Sequence, residues 1–304
     1  MSANPRAPRS TKVVFPGGGG AANTRRVKQG DQDDQTPVFI AAIATALGVA
    51  ASLPVHTQEK LSAEQLAKLA QNPIANLISV PFQNDTNFNY GPRDGTQNVL
   101  NIQPVIPISL GKDWNLITRT ILPVITQPAF NANESATTGL GDLQLSGFLS
   151  PASAEGVIWG AGAIMQAPTH GSDRLGNDRW GLGPTFVVLR LEKGSPWVYG
   201  ALVNNVWSVG GGNDAKYNNF LLQPFLNYNL PGGLYLNSAP IITANWEADS
   251  SQRWTVPLGG GVGKIFHFGR LPVNMQLGAY YNVVTPDNGP DWQLRFQIQF
   301  MFPK

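Results

Sequence analysis

Residues Trp292–Phe302 alternate between apolar and mostly polar side chains, and this pattern constrains the fold more than any other feature of the chain. Every even-numbered position is apolar, and four of the five odd-numbered positions hold Gln or Arg. A two-residue period predicts a β-strand with one apolar face and one polar face. The apolar face would form the core of a soluble sandwich, or it would meet lipid in an outer-membrane barrel whose polar face lines a wet lumen.

Strand-like runs of similar length fill the chain from Ile78 to its end. We expect about twelve of them, an even number that suits a single-chain bacterial barrel, and each is long enough to cross a bilayer when tilted. They cover approximately residues 78–90, 96–110, 113–127, 138–150, 156–167, 181–192, 196–208, 217–229, 232–246, 252–265, 271–284 and 290–302. Prolines within these runs remove ladder hydrogen bonds, so we expect bulges or strand ends at Pro104, Pro107, Pro123, Pro224, Pro240 and Pro257.

The connections alternate between short turns and mostly longer, more polar loops, as in outer-membrane barrels with short periplasmic turns. This register predicts both chain ends on the periplasmic side. The short turns are 111–112, 151–155, 193–195, 231–232 and 267–270. The longer loops are 128–137, 169–178, 210–216, 247–251 and 285–289, and the first loop, 91–95, is a short exception.

The tryptophans fall near strand ends in this register, and none is mid-strand. Two aromatic girdles at the membrane interfaces would have this distribution, whereas a soluble β-protein would scatter Trp through its core. The short-turn girdle is predicted to hold Trp114, Trp159 and Trp197, and the loop-end girdle Trp180, Trp207, Trp246, Trp254 and Trp292.

Composition excludes several other classes of protein. Charged residues make up 13% of the 304 residues and hydrophobic residues 42%, yet no run of 18 apolar residues exists, which argues against a helical membrane protein. The net charge of +2 does not favour nucleic acid as a partner. Cysteine is absent, which removes disulfides, thiolate metal sites and Cys catalysis.

The N-terminal region is expected to precede the barrel as two segments. Residues 1–52 are interpreted as a basic extension followed by a signal peptide, cut near Ala50 or Ser52; the alternative is a short buried or anchoring helix. Residues 53–77 are predicted to form a short periplasmic or plug-like helical segment, because Ser62 and Gln65 make a capping box and Pro73 ends the pattern. The barrel takes residues 78–304.

Several stretches resemble a family of outer-membrane transporters named for the meta-pathway of phenol degradation, some members of which carry the misnomer "neuromedin U". The stretches are 76–83, 98–107, 114–119, 220–231, 239–249, 253–263 and 290–304. The resemblance runs from about Ser62 to Lys304. It implies a Gram-negative outer-membrane β-barrel that passes aromatic or other hydrophobic compounds, but it defines no site residues. Many barrel proteins end in an aromatic residue, whereas here Phe302 is followed by Pro303 and Lys304.

Alternation also predicts which side chains line the lumen, and most of them are neutral amides suited to water and small, weakly polar solutes. The alternative is that these amides bond to one another and fill a closed lumen. The predicted lining is Asn101, Gln103, Asn115, Arg119, Asp142, Gln144, Gln223, Asn227, Asn237, Asn274, Gln276, Tyr280, Gln293, Arg295, Gln297 and Gln299.

Among these residues Arg119 and Arg295 are the notable charges, because both are mid-strand on the polar face. Asp142 is one strand away from Arg119 and is predicted to pair with it, directly or through Gln144. Such a pair is either structural or part of a selectivity constriction.

Enzymatic readings have little support in the sequence. Ser172, His170 and Asp173 are too close together on one loop to form a catalytic relay. No two histidines share a metal-ligand spacing, and no cofactor is expected.

We therefore predict an all-β, antiparallel transmembrane barrel of about twelve strands, working as a passive outer-membrane channel or porin-like transporter for small, aromatic or hydrophobic compounds. Its expected partners are the lipid bilayer, small-molecule solutes and the barrel-assembly machinery, without nucleic acid. The alternatives are a structural or surface barrel with a closed lumen and, third, an outer-membrane lipid-modifying enzyme.

Overall fold

The computed structural model describes residues 61–152 and 156–303, and the predicted extension and signal peptide lie outside this range. Within the described residues, one short helix precedes fifteen β-strands. The helix is α1 (Ala63–Ala70), and the strands are β1 (Ile78–Tyr90), β2 (Gly95–Ile102), β3 (Val105–Ser109), β4 (Trp114–Gln127), β5 (Thr137–Leu140), β6 (Leu143–Pro151), β7 (Gly156–Ala167), β8 (Arg179–Leu191), β9 (Trp197–Gly211), β10 (Asn218–Asn229), β11 (Leu234–Ser238), β12 (Ile242–Asn245), β13 (Trp254–Phe268), β14 (Leu271–Val284) and β15 (Trp292–Phe302).

The strands form one antiparallel sheet that closes on itself. The first strand pairs with the last over its length, from Ile78 opposite Phe302 to Phe88 opposite Trp292. Closure removes the two free edges that an open sheet would expose, which is the condition for β-structure in a bilayer. The prediction of an antiparallel transmembrane barrel is confirmed.

The fifteen strands make twelve barrel strands, because three of the twelve are broken in the middle. The breaks separate β2 from β3, β5 from β6, and β11 from β12. Two breaks contain a predicted proline, Pro104 and Pro240, whose missing N–H cannot continue the ladder. Pro257 lies at a register shift in the pairing of β13 with β14. In contrast, Pro107, Pro123 and Pro224 keep their places in paired strands.

The short turns depend on residues that tolerate a left-handed backbone. Gly111, between β3 and β4, has φ +90°, and Gly269, between β13 and β14, has φ +64°. A side chain at these positions would strain the turn, so glycine sets the tight reversal at this end of the barrel.

Helix α1 is shorter than the sequence pattern suggested, but its predicted N-terminal cap is confirmed. The Ser62 side chain accepts from the Gln65 amide, and the Gln65 side chain accepts from the Ser62 amide. Because Ser62 is the N-cap residue, α1 begins at Ala63, and it runs only to Ala70. No helix among the described residues is long and apolar enough to cross a membrane.

The helix packs inside the short-turn end of the barrel. Leu66 and Ala67 belong to one buried apolar cluster with the inward-facing Tyr235, Ile265 and Met301. These contacts bury the apolar face of α1 against the inner wall, so the helix occupies part of the lumen at this end.

Polar contacts hold α1 to the short turns. Glu64 accepts a hydrogen bond from the Gly232 amide at 2.7 Å, and Lys68 donates to the Glu192 carbonyl at 3.2 Å. At the C-terminal end of the helix, the side-chain amides of Gln71 and Asn229 bond reciprocally at 2.9 and 3.1 Å.

Candidate functional site

The inner face of the barrel has a polar side and an apolar side. Amides and charged groups from β1, β2, β4, β14 and β15 form the polar side. The apolar side includes Phe148, Val187, Leu189 and Leu202, all nearly inaccessible to solvent. The sequence did not predict this asymmetry, and strand β8 shows why. Its inward-facing and outward-facing residues are both largely apolar, so the alternation of polar and apolar residues that identifies an inner face is missing there.

Two cavities adjoin inside the barrel. The lower cavity, of about 140 Å³, lies next to α1 and is lined by Gln71, Arg119, Asn227 and Arg295 among others. The central cavity, of about 270 Å³, lies beyond it. Five lining residues are common to the two cavities and mark the boundary between them: Gln83, Gln103, Arg119, Leu202 and Gln223.

The structure places the sequence-predicted lumen residues at or next to these cavities. The lower cavity is lined by Gln103, Arg119, Gln223, Asn227, Asn237, Gln276, Arg295, Gln297 and Gln299. The central cavity adds Asn101, Asp142 and Gln144. A third cavity, of about 460 Å³ between α1 and the wall, includes Asn115. Asn274, Tyr280 and Gln293 contact inward-facing groups on other strands.

Arg295 is the centre of a buried, hydrogen-bonded cluster. Its Nε donates to Asp85 Oδ1 at 2.8 Å, and both side chains are buried. Its Nη1 donates to the Ala239 carbonyl and its Nη2 to Gln293 Oε1, both at 2.9 Å. The guanidinium also lies over the ring of Tyr280, 5.0 Å from its centroid. Because its charge is paired and each of its three nitrogens donates a hydrogen bond, Arg295 links the break between β11 and β12 to β15 and β1.

A chain of amides continues from this cluster across four strands. Gln293 donates to Asn87 at 3.1 Å, Asn87 to Gln97 at 2.8 Å, and Gln97 to Gln127 at 2.7 Å. Such a chain crosslinks the inner wall without adding net charge. Sequence analysis missed Asp85, Asn87, Gln97 and Gln127, although the polar odd-numbered positions of β1 carried the same period-two signal.

The predicted pairing of Arg119 with Asp142 is wrong. Arg119 Nη2 donates instead to Gln103 Oε1 at 2.5 Å, on the neighbouring strand. Among the described residues no carboxylate lies within ion-pair distance of Arg119. Gln144 does not bridge the two charged groups either, because its amide donates to Gln166 at 3.1 Å.

Asp142 instead holds the loop between β7 and β8. Its Oδ1 lies 2.7 Å from His170 Nδ1, and its Oδ2 accepts from the Asn177 amide at 2.8 Å and from Gln166 at 3.2 Å. The other ring nitrogen of His170 lies 3.3 Å from Asp178. Asp142 lies within the break between β5 and β6, and its carboxylate points toward the loop rather than toward Arg119.

A neighbouring loop, which accepts a hydrogen bond from Asn177 at the Ala215 carbonyl, contains a tyrosine whose pKa is raised. Tyr217 lies between β9 and β10 and donates to the Arg179 carbonyl at 3.1 Å. Burial, together with the negative charge of Asp142, raises the pKa of Tyr217 to about 12. Its hydroxyl is protonated at neutral pH, as it would be at the usual tyrosine pKa of about 10, and it is a hydrogen-bond donor.

The described residues form neither a catalytic relay around His170 nor a metal centre. In the described range, neither ring nitrogen of His170 bonds a hydroxyl group; both face carboxylates. The same residues contain no group of three or more His, Asp or Glu side chains arranged to hold a metal ion.

The tryptophans lie on the outer face near the strand ends. Trp114 and Trp159 meet edge to face near the short turns, with ring centroids 6.1 Å apart. At the loop end, Trp246 and Trp254 meet at 5.4 Å. The apolar outer surface between the two ends suits lipid contact. Four further tryptophans also face outward and are each more than 40% exposed: Trp180, Trp197, Trp207 and Trp292.

Comparison with solved structures supports the fold. An outer membrane channel from Pseudomonas putida F1 aligns with a TM-score of 0.58 and 19% identity, covering 82% of this chain and 99% of that one. The beta domain of a Bordetella autotransporter aligns at a TM-score of 0.43 with 12% identity, covering 75% and 100% of the two chains. A Salmonella typhi outer membrane phospholipase aligns at 0.39 with 15% identity, covering 81% and 99%. No protein-family model and no curated protein matches the sequence. The fold and its lipid-facing surface are those of an outer-membrane barrel.

Proposed function

We propose that this protein is a passive outer-membrane channel for small, weakly polar compounds, aromatic ones included. The observation that carries the proposal is the pair of adjoining interior cavities, whose polar lining consists mostly of neutral amides. Amides exchange hydrogen bonds readily with water and solutes, and they do not impose the strong charge selection of an acidic or basic ring. Insertion into the bilayer by the barrel-assembly machinery is part of the proposal.

The apolar side of the lumen supports aromatic or hydrophobic solutes over purely hydrophilic ones. Phe148 and Leu202 line the central cavity opposite the amide groups. A passage with one apolar wall offers a ring a surface to pack against while its polar substituents face the amides. The resemblance to transporters of the phenol meta-pathway points to the same class of compound.

Single-channel recording with the refolded full-length protein in planar bilayers tests the proposal. We expect discrete conductance steps, and Gln223→Trp should reduce them because this side chain lines both cavities. Leu226→Trp on the same strand is the matched control, since its side chain is 47% exposed on the outer face and should leave conductance unchanged. Wild-type protein that is correctly folded and conducts nothing would favour a barrel with a closed lumen.

A further inference from the structure

Arg119 lies on the boundary between the central and lower cavities. It lines both of them, together with the side chains of Gln103 and Gln223. A solute that moves from one cavity to the other therefore passes the guanidinium. Long-range pairing holds this position, because β4 is bonded to β3 on one side and to β6 on the other.

Most N–H donors of the Arg119 guanidinium have no hydrogen-bond acceptor among the described residues. An arginine side chain has five N–H donors, and among the described residues only Nη2 donates, to Gln103. Arg295 shows the contrast, since Nε and both Nη atoms of that residue donate to protein oxygens. A guanidinium forms a bidentate fork through Nη2 together with either Nε or Nη1. The bond to Gln103 uses one of the two Nη2 hydrogens, so one fork is left to bind a carboxylate with two parallel hydrogen bonds.

Two lumen carboxylates, one in the break before β6 and one on β1, are already engaged. Asp142 lines the central cavity, but its oxygens accept from His170, Gln166 and Asn177. Asp85 is bonded to Arg295 and to the Gln83 amide, at 2.8 Å in each case. The positive charge of Arg119 is thus left facing the passage.

An apolar wall lies within reach of Arg119. In the inner wall, Arg119 is opposite Ser146 on β6, and Ser146 is opposite Ile164 on β7. Strands in a sheet are about 4.8 Å apart, so Ile164 lies roughly 10 Å from Arg119. Phe148 and Leu221 line the same central cavity and complete the apolar surface.

We propose that Arg119 binds the carboxylate of a small amphipathic monocarboxylate, whose apolar or aromatic body packs on Phe148, Ile164 and Leu221. This rests on the proposed channel function and specifies its substrate class. The central cavity, at about 270 Å³, suits such a body, because an apolar cavity of about 150 Å³ already accommodates benzene. One guanidinium balances one negative charge, and the nearby Asp142 disfavours a dianion such as a phosphate monoester.

Binding to the refolded full-length protein in detergent micelles tests the inference through fluorine NMR titration. The probes are 4-fluorobenzoate, its neutral analogue 4-fluorobenzamide, and trifluoroacetate, which lacks an apolar body. The variants are Arg119→Gln, Arg119→Lys and Leu221→Asn. Arg190→Gln is the control, because that arginine is exposed on the outer surface and pairs with Glu192. Heat-dependent gel mobility checks that each variant is folded.

We expect Arg119→Gln to weaken 4-fluorobenzoate binding at least about tenfold while 4-fluorobenzamide is unaffected, and Arg119→Lys to fall between wild type and Arg119→Gln. Leu221→Asn should weaken 4-fluorobenzoate more than trifluoroacetate. Arg190→Gln should match wild type. Equal 4-fluorobenzoate affinity in wild type and Arg119→Gln would overturn the inference, and so would equal wild-type affinity for 4-fluorobenzoate and 4-fluorobenzamide.

Conductance of the same preparations separates this inference from the channel proposal. Arg119-dependent 4-fluorobenzoate binding in a protein that conducts nothing supports the binding site and rejects the channel. Normal conductance with binding that ignores Arg119 supports the channel and rejects the carboxylate site.

Discussion

At the residue scale, two arginines with the same periodicity have opposite environments. Arg295 is held by Asp85 on β1, Gln293 on its own strand and the Ala239 carbonyl at a strand break. Arg119 bonds to Gln103 only, within the described residues. Alternation assigns both to the inner face, but a side chain's partners depend on which strands become neighbours and where they break.

The buried pair of Arg295 and Asp85 should contribute strongly to the stability of the folded barrel. We expect Arg295→Gln to lower the free energy of unfolding by about 3 kcal/mol, because it leaves the Asp85 charge buried and unpaired. Urea unfolding in lipid vesicles measures the effect. Arg119→Gln, which breaks no ion pair, should change stability far less. The Arg295→Gln, Asp85→Asn double variant should lose less than the sum of the two single variants.

The facing of β15 can be tested with one pair of adjacent substitutions. Phe296 is on the lipid side and 39% exposed, whereas Gln297 lines the lower cavity. Phe296→Arg should cost about 2–4 kcal/mol, because it puts a charge into the bilayer interior, and Gln297→Arg should be nearly neutral. Unfolding free energies in lipid vesicles distinguish the two. Similar losses for both variants would contradict the observed register.

At the scale of elements, backbone groups at the breaks in the barrel strands have hydrogen-bond partners outside the regular ladder. At the break between β11 and β12, the Ala239 carbonyl accepts from Arg295 and the Ala239 amide donates to the Tyr280 hydroxyl at 3.3 Å. At the break before β6, Thr169 donates to the Gly141 carbonyl at 3.1 Å. Backbone groups at the breaks are satisfied by side chains or by the backbone of a neighbouring strand, as where the Gly141 amide donates to the Pro123 carbonyl at 2.9 Å. The breaks are therefore stable parts of the wall.

Helix α1 should be anchored in a pH-dependent way through Glu64. Hydrogen bonds from the amides of Glu64 and Gly232 and from Ser62 lower the pKa of this carboxyl below its usual 4.5. A lowered folded-state pKa means that the anchoring is present above pH 4.5 and is lost as the pH falls through the folded value.

Hydrogen exchange of the α1 peptide in wild type and Glu64→Gln measures this anchoring. At pH 7 the wild-type helix should exchange more slowly, and the difference should vanish at strongly acidic pH, where Glu64 is protonated. Comparing the two proteins at each pH removes the intrinsic pH dependence of exchange. A difference that persists unchanged in acid would contradict the role of the carboxylate.

At the scale of the whole molecule, closure of the sheet divides the chain into two surfaces. The inner surface holds the charges, amides and cavities, and the outer surface carries exposed apolar side chains such as Leu258 and Leu277. Contact of this apolar surface with water is unfavourable, whereas contact with lipid chains is favourable. Each barrel strand is also hydrogen-bonded to a neighbour on both sides, as the bilayer interior requires.

Cell fractionation should therefore recover the mature protein in the outer membrane. Its folded form should migrate differently from the boiled form on a denaturing gel, because a closed barrel resists detergent unfolding. The matched control is a strand-breaking proline on the inner face of β15, Gln297→Pro, which should reduce the folded form. Recovery of the wild-type protein as a soluble periplasmic species would contradict the proposed location.

The amino-acid sequence by itself determined the fold class, the twelve barrel strands, the cap of α1 and the facing of strands such as β15. These properties follow from local periodicity and turn chemistry, which a short window of residues carries. Only the tertiary structure decided that Arg295 pairs with Asp85, 210 positions apart in sequence, and that Asp142 bonds His170 rather than Arg119. It also decided that the lumen has an apolar side, because a strand apolar on both faces has no period to read. Partners and cavities arise from closure and from the placement of strand breaks, and these bring together residues that no local pattern connects.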